Sequence, residues 1–123
     1  MEEKKKLALL EMGIRFKNMR TVCGFTQEQM AVFLDLDRTL ITRFEKGERA
    51  LGMADLERAC ELFGCDFNVL RGLEEYRPMA VAYRAKELTL EGMESVHKVQ
   101  RIALNLRRIK QFGKEQDEIN YTT

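Results

Sequence analysis

The chain has 123 residues, 45% hydrophobic and 33% charged, which is room for one packed domain with an appendage and excludes wholesale disorder. The formal net charge is +1, so overall charge permits a nucleic-acid partner without demanding one. No stretch approaches the ~18 apolar residues of a membrane span, and MEEKKKLALLEMG carries no cleavage-site pattern; a membrane protein is excluded and a cytoplasmic one expected.

Residues 2–22 predict a first helix. Leu9, Met12, Phe16 and Met19 recur at three- and four-residue spacing, and Leu10 and Ile14 widen the stripe. Gly24 follows where a left-handed cap belongs. Thr26 with Gln29 forms the Thr-x-x-Gln capping box of a second helix running to about Leu34. Asp37 caps a third, Arg38 to Lys46, which Gly47 stops. A fourth spans about Met53 to Phe63 and closes at Gly64. Asp66 then caps a short fifth helix containing Phe67, Val69 and Leu70. Five helices in this length leave no room for strands, so the fold class is all-α.

The run EEYRP breaks the pattern, because Pro78 disfavours helix at Arg77. The loosely alternating MAVAYRA after it reads as extended. Thr89 caps a long final helix, about 90–112, whose stripe is Met93, Val96, Val99, Ile102, Leu106 and Ile109. The polar tail KEQDEINYTT reads as frayed. Charge is unevenly placed. Residues 1–20 are net basic, 51–95 net acidic, and 96–114 carry Lys98, Arg101, Arg107, Arg108, Lys110 and Lys114 with no acid.

Little here supports catalysis or metal binding. The three cysteines, Cys23, Cys60 and Cys65, form no Cys-x-x-Cys pair and fit buried thiols in a reducing compartment. The single histidine, His97, has no metal-spaced partner and reads as solvated or at an interface. Glu74 and Glu75 read as solvated charge. No cofactor, no metal and no enzyme activity are expected.

The informative segment is GFTQEQMAVFLDLDRTLITRFEKGER, residues 24–49. Two short capped helices meet at a tight turn, Asp35–Leu36, with small Ala31 where the second helix must approach. This segment resembles the Cro and phage-repressor type of helix-turn-helix transcriptional regulator. The likeness covers about residues 12–73. It rests on Arg20, on Thr26-Gln27-Glu28, on Ala31, on Phe44-Glu45-Lys46-Gly47 and on the LERACELFGCDFNVL run. Asp35 departs from it, standing where the family usually has Gly; Asp tolerates the left-handed region better than most residues.

The resemblance implies a helix-turn-helix DNA-binding domain over residues 1–75 and a linker with a C-terminal helical arm over 76–123. It implies base reading by Arg38, Thr39 and Arg43, since Arg matches guanine O6 and N7, and Thr can bond or pack on thymine. It implies phosphate contacts by Gln27, Lys46 and Arg49, and a structural ion pair between Arg20 and Glu45. Leu40 falls on the exposed side of the third helix; it either meets a thymine methyl or buries against a loop. A double-stranded DNA operator with two half-sites implies a homodimer. The stripe Met93, Val96, Val99, Ile102, Leu106 and Ile109 is the expected interface, with Glu87, Glu91 and Glu94 facing the basic residues of an antiparallel copy; the alternative is an arm packed back on its own domain. The five-helix unit is expected to hold its own core without the arm. Residues 82–109 also resemble the linker that follows such domains when fused to a zinc metallopeptidase, which implies a separate metallopeptidase as a protein partner. A second reading, an antitoxin or adaptor that grips another protein through the final helix, stays open.

Overall fold

The computed structural model describes residues 2–77 and 87–121. Six helices, and no strand, lie among the described residues: α1 Glu2–Cys23, α2 Gln27–Leu34, α3 Arg38–Glu45, α4 Met53–Phe63, α5 Phe67–Leu70 and α6 Leu90–Tyr121. The extended reading of residues 79–85 lies outside the described residues.

The helix boundaries follow from local chemistry. Thr26 Oγ1 accepts from Gln29 N at 3.1 Å while Gln29 Oε1 accepts from Thr26 N at 2.9 Å, so the capping box is closed on both sides. Asp35 takes the left-handed conformation, φ 55° and ψ 49°, and Leu36 N then donates to Ala31 O at 2.8 Å. That bond ends α2 and turns the chain into α3 within three residues. Asp37 and Asp66 stand at the N-cap positions of α3 and α5, but neither side chain bonds the helix end. Asp66 instead accepts from Arg108 of α6 at 3.0 Å. At the start of α6, Thr89 Oγ1 accepts from Gly92 N at 3.2 Å.

The core is built around Phe16 of α1. Its ring meets Phe44 of α3 edge-on at 5.2 Å and Phe63 of α4 at 5.5 Å. Met19, Met30, Ile41, Leu56, Leu62 and Leu70 fill the space around these rings. No disulfide forms among the described residues; Cys60 and Cys65 are buried, and half-buried Cys23 has its Sγ 3.1 Å from Tyr76 Oη. Cys65 N donates to Cys60 O at 3.0 Å, closing α4 in the manner of a Schellman motif, whose flanking side chains normally touch. Hydrogen bonding with Cys60 and burial hold the Cys65 thiol well above the usual thiol range.

Helix α6 does not stand apart. It packs along α4 and against α2, and α4 and α6 run in the same sense. Arg58 pairs with Glu94, Glu61 with Arg101 at 3.8 Å, and Asp66 with Arg108, in rising order along both. Its inward face is Met93, His97, Gln100 and Leu104, all buried. Met93 belongs to the central core cluster and Val96 packs against it.

This corrects two expectations. The apolar stripe divides: Met93 and Val96 are turned into the chain's own core, while Val99, Ile102, Leu106 and Ile109 are exposed. The reason is that α6 is apolar on two sides; the side turned inward sets Arg101 beside Glu61 of α4 and Arg108 beside Asp66 at the start of α5. His97, read as solvated or at an interface between chains, is buried inside the molecule. Its ring lies edge-on to Phe33 at 5.5 Å, and Nε2 sits 3.5 Å from Glu61 Oε1, beyond hydrogen-bonding distance. Helix α6 also runs nine residues further than residue 112, because the polar tail is made of good helix formers.

Candidate functional site

Helix α3 has only eight residues, and its two sides have opposite characters. Ile41, Phe44 and Glu45 are buried. Arg38, Thr39 and Arg43 are exposed, as are Lys46 and Arg49 just beyond the helix. Leu40 is half-buried at the boundary between the two sides. The outward side of α3 itself therefore carries hydrogen-bond donors and no acid, and with Lys46 and Arg49 the patch holds four positive charges, bordered by exposed Asp37 and Glu48.

A polar network fixes the inner side. Arg20 on α1 grips Glu45 with a bidentate fork, Nε to Oε2 at 2.7 Å and Nη2 to Oε1 at 2.9 Å. Its remaining arm, Nη1, donates to Phe25 O at 2.8 Å. Both residues are buried, so the pair is held with its hydrogen-bonding capacity largely used. Gln27, at the first turn of α2, donates from Nε2 to Glu45 Oε1 at 3.0 Å. Thr42 Oγ1 lies 3.1 Å from both Gln27 Oε1 and the Arg38 carbonyl oxygen. One network thus joins α1, α2 and α3 through Arg20, Glu45, Gln27 and Thr42.

The backbone of α3 is seated just as closely. A Cβ on Gly13 of α1 would lie 2.2 Å from the carbonyl oxygen of Phe44, so only glycine fits there. Gly47, at φ 75°, lets the chain leave α3 directly against Leu10.

The residues singled out in the sequence separate into two groups. Arg38, Thr39, Arg43, Lys46 and Arg49 lie together on or beside the outward side of α3. Gln27 is only half-buried, but its amide is engaged inward, with one N–H left over. A shallow depression lined by Thr21, Thr26, Gln27 and Arg38 lies between the start of α2 and that of α3. Sequence reasoning missed Thr42 and Gly13. Thr42 could have been found from its spacing of four from Arg38, which allows a back-bond to that carbonyl. Gly13 sits inside a helix, where glycine costs about 1 kcal/mol and so asks for a packing reason.

Among the described residues, no group of three or more His, Cys, Asp or Glu side chains could hold a metal ion. No helix of the described residues is long and apolar enough to cross a membrane. A family model described as a helix-turn-helix domain matches residues 11–73, just over half of the chain. No curated protein and no solved structure gives a significant match.

Proposed function

We propose, from the premise that this chain belongs to the helix-turn-helix domain family, that it is a sequence-specific DNA-binding transcriptional regulator of the Cro and phage-repressor type. It acts as a repressor in the cytoplasm and as a homodimer, with α3 in the major groove. The observation that carries this reading is the two-sided α3: its outer side holds only donors and cations, and its inner side is locked to two other helices. A helix must be positioned that firmly if a few side chains are to discriminate base edges.

Within this reading Arg38, Thr39 and Arg43 face base edges, and Lys46 and Arg49 meet phosphates on either side. Gln27 works mainly from within. It braces Glu45 and Thr42, and offers its remaining N–H with the open amides of the α2 N-terminus to a phosphate over the depression beside Arg38.

Selection from random duplex DNA tests the proposal. The expected result is one consensus with dyad symmetry, bound with a steep salt dependence. Recovery of no consensus, with binding no tighter than to arbitrary duplex, overturns it. A second reading has its own observation: Val99, Ile102, Leu106 and Ile109 are exposed and open to another protein. An adaptor or antitoxin would co-purify with one stoichiometric partner and select no DNA.

A further inference from the structure

The outward side of α6 carries Val99, Ile102, Leu106 and Ile109 at spacings of three, four and three, the a and d positions of two heptads. They lie opposite the buried Met93, His97, Gln100 and Leu104, so the packing of α6 back on its own domain, the alternative to a dimer seam for the whole stripe, leaves Val99, Ile102, Leu106 and Ile109 exposed. Their exposures run from 57% for Leu106 to 66% for Ile109, and Phe112 beside them is 63% exposed. We infer that this stripe is the interface between two copies of the chain, and that the two α6 helices pack antiparallel, Val99 against the partner's Ile109 and Ile102 against the partner's Leu106. The inference rests on the homodimer of the proposed function and names its surface and register.

Three features favour a second copy in this register. The stripe is self-complementary, because the register that pairs Val99 with the partner's Ile109 also pairs Ile102 with the partner's Leu106, closing all four layers at once. Leu at an a position with Ile at both d positions is not the pattern that two parallel strands favour, whereas antiparallel packing sets each Ile against a Val or Leu. The charges are compatible as well. Arg101 and Arg108 already answer Glu61 and Asp66 on their own body, so the basic run does not call for an acidic partner. Lys98 and Lys110 border the stripe on opposite edges. Antiparallel packing lays the Lys98 stem over the partner's Phe112 and the Lys110 stem beside the partner's Val96, with no like charges opposed. Glu94 is not needed across the seam, since it pairs with Arg58.

Five side chains per copy, exposed to this degree, put the buried area on the order of 1,000 Å² in all, the lower bound of a specific interface. An interface at that bound is expected to be weak in the absence of DNA. Sedimentation equilibrium of the full chain should show a monomer–dimer equilibrium at tens of micromolar. Leu106→Lys should raise its dissociation constant at least tenfold, leave helicity unchanged, and match the wild-type melting temperature at dilutions where both are monomers. In mixed chains, Val99→Cys and Ile109→Cys should cross-link to each other under mild oxidation, and neither should cross-link to itself.

Wild-type protein that stays monomeric at these concentrations overturns both the surface and the homodimer. A Leu106→Lys chain as dimeric as wild type overturns the surface alone. Self-cross-linking of either cysteine variant overturns the antiparallel register. A monomer that still selects a DNA consensus removes the stripe and keeps the DNA reading. A stripe-dependent dimer that selects none does the reverse.

Discussion

Arg43 and Gln27 stand a few residues' reach apart on neighbouring helices, yet substituting them has different expected consequences. Arg43 is exposed and makes no contact with the core. Arg43→Ala should relax base preference and weaken specific binding by about 1–3 kcal/mol, with the melting temperature unchanged. Parallel selection and thermal melts check this, and a fall in both quantities would assign Arg43 to the fold. Lys46→Ala should weaken binding to all sequences alike and flatten the salt slope by about one unit. Gln27→Ala should leave that slope alone but cost about 1 kcal/mol of stability, because Glu45 and Thr42 each lose a hydrogen-bond partner. Cys65, a buried thiol kept protonated, should resist alkylation in the native state at neutral pH and react on unfolding; mass spectrometry of the labelled chain reads this directly.

At the scale of elements, each of α1 to α5 was legible because short-range chemistry marks its ends. Thr26 with Gln29, the left-handed Asp35, and the glycines at 24, 47 and 64 punctuate the chain within one turn of the observed boundaries. The side chains of Asp37 and Asp66 were not legible in the same way. An N-cap position can be read from spacing, but what its carboxylate bonds depends on a distant residue such as Arg108. Helix α6 shows the limit more plainly. Its apolar residues fall on two sides, and its buried side includes the polar His97 and Gln100, so no single stripe marks the inward face. The Arg20–Glu45 fork gives the sharpest element-scale prediction. Arg20→Ala leaves Glu45 buried without its cation and should cost about 3–5 kcal/mol in urea unfolding. If the loss is under 1 kcal/mol, α3 is held by its apolar side alone.

At the scale of the molecule, the stretch of α6 from Met93 to Leu104 completes the core of the described residues. A chain cut after Glu75 loses Met93 and Leu104 from the interior and uncovers Phe33 and Leu62. It should therefore melt well below the full chain and unfold less cooperatively, which calorimetry would show. Equal melting temperatures would mean that α6 rests on the domain without stabilising it. Leu104→Ala tests the same seam without a truncation and should cost roughly 2–5 kcal/mol.

The close seating of α3 on Gly13 has a further consequence. In the proposed role, a helix whose carbonyls touch a neighbouring backbone, and whose one buried carboxylate is forked by Arg20, would enter a groove as a rigid body. Any misfit between protein and operator must then be taken up by the duplex, in groove width, twist or bend. Base steps that no side chain reaches would be selected for how easily they deform, and part of the operator would be written in the mechanics of DNA rather than in its hydrogen-bonding edges.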